Sequence, residues 1–399
     1  MIRQAVFVVA IAPWIGASEG LAQTVSPTSD TVTSASLGLR GGFDSNPTDI
    51  LGGRGSPFLT QTLDYDYLHG SQNEGWGLKL NAADTIYDPG VAAPSTTAVM
   101  AATDAFHLTP ALTLRSTLTT TLDDNWARRS HGVQLRERLE YETSQFRVFT
   151  NLDTSLNALN ERDIFTLGDF LPSDENFATL TAMAGIAYKV GAGEIGTSLA
   201  VSRFAYFAPD ILGLDRSHDV VQPNLFFSTT MWNVQLEGSL SPYLAKFDTA
   251  DFETVRQLLY TAKIKFPAGP WTFGVASTRT MHDTTLPFSA ADEATAHEAS
   301  VSYKITTRDA VDMVARYRRD DYLGLGLCAT SFLTGVDYAH DFGSGVLGTI
   351  SASARQVRYT GEILPWSLNV QFGLQKQFDF GSALSGVPAK LSGTKSPTI

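Results

Sequence analysis

Along Ile363–Phe380 the chain alternates oily and wet positions without losing phase. One row holds Trp366, Leu368, Val370, Phe372, Leu374, Phe378 and Phe380, with Lys376 as its one polar member. The other holds Ser367, Asn369, Gln371, Gly373, Gln375, Gln377 and Asp379. A period of two predicts a β-strand with one apolar and one polar face. The run is longer than the roughly 5–6 residues usual in a soluble sheet. It suits a tilted strand crossing a bilayer, which needs about 9–11 residues and aromatic side chains at both edges. Trp366 stands at one edge, Phe378 and Phe380 at the other, and Phe372 between them; the segment reads as the closing strand of a barrel.

The same period recurs upstream. Val133, Leu135, Leu139 and Tyr141 alternate with Gln134, Arg136, Arg138 and Glu140. In the segment Met231–Lys246, Trp232, Val234, Leu236 and Leu240 alternate with Asn233, Gln235, Glu237 and Ser239. Between Thr31–Asp44 and Ile363–Phe380 there are about 18 such segments, and outer-membrane barrels usually have even strand numbers. Short connections, such as Glu142–Gln145, Thr229–Met231 and Thr306–Asp309, alternate with long ones. The long ones include Asp44–Pro57, Asp124–His131, Asn157–Glu175, Phe207–Asp219 and Asp283–Ala294. Barrels keep short turns in the periplasm and long loops outside. The expected fold is therefore all-β, a transmembrane antiparallel outer-membrane β-barrel spanning residues 31–380. A barrel of about 18 strands has a lumen too wide for side chains to fill. Its apolar row should meet lipid and its polar row water.

Composition agrees with that reading. The 399 residues are 43% hydrophobic, yet mean hydropathy is only -0.04, as alternation requires. Beyond the N-terminus no run of about 18 apolar residues could form a membrane helix. Arg3, the apolar Ala5–Ile15 and the small residues of Gly20-Leu21-Ala22 read as a secretory signal peptide over residues 1–22. Residues 23–30 then form a periplasmic stub, and the Gly/Ser/Pro/Lys-rich residues 381–399 a disordered periplasmic tail. The single cysteine, Cys328, makes no internal disulfide or metal set. A net charge of -12 and a pI near 5.0 give no electrostatic case for nucleic acid.

The chain carries no Gly-x-Ser-x-Gly, His-Glu-x-x-His or phosphate-binding glycine loop. No enzyme, cofactor or metal is expected from it. The pairs Asp123-Asp124 and Asp320-Asp321 read as solvated loop charges, because a hard cation needs further oxygen ligands. The candidate pore-lining residues are Arg115, Arg136, Arg138, Arg147, Glu140, Asp153, Glu237 and Lys263. The four arginines fall on three consecutive strands and should share one wall. Two readings stand: a mutually paired, zwitterionic wall, or a basic ladder guiding an anionic solute. The Asn157–Glu175 segment, with Ile164, Phe165, Phe170 and Leu171, could pack inside the barrel or lid it from outside.

The first strand ends in Gly41-Gly42-Phe43-Asp44-Ser45-Asn46-Pro47. Asp44 and Asn46 suit Asx turns, and Pro47 ends strand pairing. A strand closing on Gly42, Phe43, Asp44, Asn46 and Pro47 resembles the β-barrel porin 2 group of Gram-negative outer-membrane proteins. The resemblance implies a pore in the cell outer membrane, without catalytic residues, and links some members to exopolysaccharide export. It implies as partners outer-membrane lipid and lipopolysaccharide, the barrel-assembly machinery and periplasmic polysaccharide-export proteins. The alternatives are a general diffusion porin for small solutes, or a surface receptor or adhesin using the long loops.

Overall fold

Each strand hydrogen-bonds to the strand before it, and the last returns to the first. The computed structural model describes residues 31–49, 52–70, 74–125, 128–161, 175–210, 212–284, 286, 288–360 and 362–379. The expected signal peptide, stub and tail lie outside these residues, as do Ile164, Phe165, Phe170, Leu171 and Phe380.

The wall begins with β1 (Thr31–Asp44), β2 (Ser56–Gly70), β3 (Gly75–Tyr87), β4 (Ser95–Thr109), β5 (Leu112–Asp124) and β6 (Arg128–Glu142). It continues through β7 (Phe146–Glu161), β8 (Glu175–Val190), β9 (Gly193–Tyr206), β10 (His218–Met231), β11 (Val234–Phe247) and β12 (Val255–Ala268). It ends with β13 (Trp271–His282), β14 (Asp292–Lys304), β15 (Asp309–Tyr322), β16 (Leu327–Gly343), β17 (Val346–Tyr359) and β18 (Ser367–Asp379). Among the described residues these eighteen antiparallel strands close into a barrel, with Leu39 opposite Leu374 at the seam.

The side-chain period decides which face meets what. Paired residues share a face, so one outward residue fixes a whole row around the wall. Leu37, Leu39 and Phe43 point outward, as do Val370, Phe372 and Leu374 beside them. Leu374 is 60% exposed, far too open for a soluble core. The opposite row of the seam carries Ser36, Arg40 and Asp44. Aromatic pairs gather near the short turns: Trp271 with Tyr303 at 4.1 Å, Tyr67 with Trp76 at 4.6 Å, and Tyr141 with Phe146 at 6.1 Å. A mainly apolar exterior, a polar interior and an aromatic girdle near the short turns make this a transmembrane barrel of the outer-membrane type.

Three expectations need correction. The closing segment is not one strand. Glu362–Ile363 bridges to β17, and the strand resumes only at Ser367. Pro365 interrupts it because proline has no N–H to give a ladder. Trp366 therefore lies just ahead of β18, its ring edge-on to Phe332 at 6.0 Å. Trp232 is not a strand residue either. With Asn233 it forms the tight turn between β10 and β11, at φ 52 and 64, and it is 86% exposed. A two-residue hairpin turn of this hand requires positive φ at both positions. Asp124–His131 is not a long loop: the strands reach Asp124 and Arg128, extended by the Arg128–Glu161 pairing and an Arg129–Asp124 ion pair at 3.2 Å.

Lys376 stays on the apolar row. Its stem runs along the wall so that its ammonium reaches the Ser344 carbonyl in a periplasmic turn and lies 5.7 Å from the Phe378 ring.

Candidate pore lining and outer mouth

The inward rows of β5, β6 and β7 bring the four sequence-selected arginines onto one wall. Arg115 stands directly across from Arg138. Arg136 meets Asp153 at 2.6 Å on the neighbouring strand. Arg138 meets Glu140 at 2.6 Å. Arg147 lies between Glu140 at 3.6 Å and Glu194 at 2.5 Å. Arg136, Arg138 and Arg147 thus touch carboxylates, and the paired reading of the wall is the one the geometry takes. Phe149 organises the group: the Arg138 and Arg147 guanidinium carbons lie 4.9 and 5.3 Å from its ring centre. Phe149 is buried and packs on Phe226 at 6.2 Å. Sequence reasoning passed over Phe149, though it sits two residues from Arg147 on the same inward row.

The pattern continues around the barrel. Glu237 and Lys263 face each other across β11 and β12 at 3.8 Å. Lys189 meets Glu142, and Arg316 meets Glu298, each at 2.5 Å. These groups are part-exposed, so each pair adds little to stability and is screened by salt. Among the described residues the inward Arg40 and Lys265 carry no ion pair, and Asp312 sits opposite Asp337 without one. Neither Asp pair singled out in the sequence is a loop pair. Asp123 and Asp124 end β5; Asp320 and Asp321 lie in β15, paired with Arg318 and Arg319, each at 2.7 Å.

The strand-end motif works locally. The Asp44 carboxylate accepts the Asn46 N–H at 2.9 Å, closing the Asx turn. It also accepts the Asn369 amide at 3.0 Å. Gly42 faces the Phe58 ring, where an added Cβ would come within 2.7 Å, so glycine permits this close approach. Phe43 points outward at 51% exposure. Pro47 follows in the loop, and among the described residues the next strand begins at Ser56.

Sequence reasoning missed the outer mouth. Described residues of three connections, 207–210 with 212–217, 248–254, and 283–284 with 286 and 288–291, pack on inward side chains at the outer ends of β8–β12. Phe247, Phe252, Val220, Ala245 and Val255 form a small apolar cluster there. Arg216 fastens it while only 2% exposed. Its guanidinium donates to the Ser289 carbonyl at 2.7 Å and to the Leu286 carbonyl at 2.5 Å. It lies 3.7 Å from Glu175 and 5.3 Å from the Phe252 ring centre. A buried charge is tolerable only with such partners. Asp283 joins the same body, accepting the Tyr206 hydroxyl at 3.0 Å. Burial pushes the Asp283 carboxyl above the usual carboxylate range, against the pull of nearby His218 and Arg216. Arg216, Thr284, Leu286 and Ser289 are buried there, so the described residues of these connections form a lip packed on inward side chains at the outer mouth. Among the described residues no group of three His, Cys, Asp or Glu could hold a metal ion.

No protein-family model matches the chain, and no curated protein sequence does. Solved structures do. Pseudomonas aeruginosa OccK2 (OpdF) superposes with a TM-score of 0.51 at 11% identity, covering 88% of this chain and 98% of that one. Acinetobacter baumannii OccAB3 gives 0.48 at 10% identity, covering 88% and 100%. The outer membrane protein opdK from Pseudomonas aeruginosa gives 0.48 at 11%, covering 87% and 99%. At such identities the likeness is one of fold, and it rests on OccK2.

Proposed function

We propose that the chain is a passive pore of the Gram-negative outer membrane for small hydrophilic solutes. The observation that carries this reading is a closed barrel, mainly apolar outside, whose inner wall pairs many of its charges with opposite ones. Such a wall keeps the lumen wet without a strong preference for one sign of charge. The lip at the outer mouth favours small solutes over a hydrated polymer. Exopolysaccharide export, which the resemblance to the porin 2 group implies, draws no support from that lip. The loops that a receptor or adhesin would use are partly committed to it. Outer-leaflet lipopolysaccharide and the barrel-assembly machinery are the partners this reading requires; periplasmic polysaccharide-export proteins are not.

The test is functional reconstitution. Purified barrel in planar bilayers should give stepwise conductance, and liposomes carrying it should swell with small sugars and amino acids but not with large oligosaccharides. Silent bilayers with a folded barrel would sink the proposal. In cells, a deletion should reduce small-solute uptake and leave surface polysaccharide unchanged; the opposite result would favour polymer export.

A further inference from the structure

One row of outward side chains climbs out of the hydrocarbon as it follows the wall. Leu135, Thr154, Leu180, Arg203, Asp219 and Lys246 pair in succession across β6–β11. Leu135 and Leu180 are 41% and 49% exposed, so the whole row faces outward. Leu135 is the middle residue of β6, whereas Asp219 and Lys246 stand next to the outer strand ends, His218 and Phe247. The row therefore joins the hydrocarbon to the outer rim.

Its lower part borders a groove of about 430 Å3 on the outward face of β6–β9. Val133, Leu135, Leu156 and Leu180 supply the larger apolar side chains around it. Ala178 and Ala205 pair across β8 and β9, and their small side chains leave the space between. Arg203 lines the β9 edge. An apolar trough open to lipid at this height is shaped for an acyl chain, whose methylenes gain from the added contact.

At the top of the row the chemistry changes. The Arg203 guanidinium donates to Asp248 at 2.7 Å and to Asp219 at 3.3 Å. Lys246 lies across from Asp219, and Arg256 lies across from the outward Leu244. Both are exposed, and neither has an ion pair among the described residues. Arg203, Lys246 and Arg256 against Asp219 and Asp248 leave this corner positive. Long basic side chains at a membrane edge carry their charge to headgroup level, where they attract anionic lipid. The outward positions at the outer ends of β1–β5 are Phe43, Pro57, Ile86, Thr96 and Asp124, which offer no cation. Three strand spacings, about 14 Å, separate β9 from β12. A two-sugar headgroup carrying several chains covers that width, which selects it over a diacyl phospholipid.

We propose that the groove and this corner together hold one molecule of a phosphorylated, multiply acylated outer-leaflet glycolipid. One acyl chain lies in the groove over Ala178 and Ala205. A sugar phosphate above it accepts hydrogen bonds from Lys246 and Arg256. Arg203, tied to its two carboxylates, walls the groove rather than binding phosphate. The inference rests on the barrel lying in the outer membrane and not on which solutes pass through it.

Native mass spectrometry of the folded full-length barrel tests this, with hexa-acylated bisphosphoryl lipid A as the probe. The wild type should retain one lipid A per barrel, and should retain neither dephosphorylated lipid A nor phosphatidylethanolamine at the same concentration. Lys246→Gln with Arg256→Gln should weaken retention about tenfold, the loss of charge-assisted hydrogen bonds. Ala178→Leu with Ala205→Leu fills the groove, leaves every charge in place and should weaken retention as well. Arg358→Gln removes an exposed rim cation on β17, far from the groove, and should change nothing. Heat-modifiable gel mobility confirms that each variant is folded. Equal retention of the dephosphorylated lipid, several lipids bound in a graded series with no one-to-one species, or unchanged retention in either double variant would overturn the site. Loss of binding on chelating divalent cations would assign the phosphate to a metal bridge and overturn the contact with Lys246 and Arg256. Bilayer conductance of both double variants should match the wild type, so failure of this site and failure of the pore are read separately.

Discussion

The Asp44 carboxylate accepts a hydrogen bond from the Ser367 hydroxyl at 3.1 Å, joining two strands that lie 323 residues apart. It is the meeting point of the seam, since the same carboxylate holds the Asn46 turn and the Asn369 amide. Removing it leaves three donors without an acceptor at a buried site. Asp44→Ala should lower barrel stability by about 1–3 kcal/mol, the cost of buried groups left unpaired. Urea unfolding of the detergent-folded barrel, followed by tryptophan fluorescence, measures it. An unchanged midpoint would mean that water replaces the carboxylate at the seam without penalty.

Most of the barrel was legible because the bilayer imposes one rule on every strand. Lipid favours apolar residues at outward positions, so β1 is readable as Thr31–Asp44 from alternation alone. The rule fails where something other than lipid decides. Trp232 looked like the start of an apolar row, but a tight turn claimed it. Glu137 interrupts the apolar row between Leu135 and Leu139, and alternation alone passes over it. The lip could not be read at all. Arg216, Leu286 and Ser289 come together only through contacts about seventy residues apart in sequence, which no periodicity carries.

The arginine wall gives a second expectation. Arg115, Arg136, Arg138 and Arg147 were placed inward by period, but their partners depend on register. Glu194, for example, reaches Arg147 from 47 residues away. Replacing all four with Gln removes four positive charges and leaves Glu140, Asp153 and Glu194 uncovered. Reversal potentials in asymmetric salt should shift toward cations. The shift should be larger at low salt, because the Debye length is about 8–10 Å near physiological ionic strength and grows on dilution. Stability should fall as well, and adding Glu140→Gln, Asp153→Asn and Glu194→Gln should restore much of it. A potential that does not move at low salt, with the barrel intact, would place these residues off the conducting path.

Cys328 reports topology. It sits at the outer end of β16, paired across from Asp321 on an outward row, with its sulfur 4.0 Å from the Thr360 hydroxyl. It is part-exposed at the rim, above the hydrocarbon. A membrane-impermeant maleimide should therefore label it on intact cells. Labelling only after the outer membrane is disrupted would invert the barrel's orientation.

Asp283 should make the lip sensitive to pH. Its carboxyl is buried against the Tyr206 hydroxyl, and burial is the main reason its pKa is raised from 3.8. His218, the Tyr206 hydroxyl, Arg216 and Arg128 oppose that rise. A raised pKa in the docked lip means that the docked form holds its proton more tightly than an undocked loop does. Docking is therefore weakest above the raised pKa. It strengthens as pH falls from that value toward 3.8 and gains no more below. Single-channel conductance should drop on acidification through this window as the lip seats more firmly in the mouth. Asp283→Asn, which resembles the protonated acid, should hold the low conductance across the whole range. If the variant kept the wild-type pH response, the sensor would be another group. If conductance in the wild type did not vary with pH at all, the lip would not border the path that ions take.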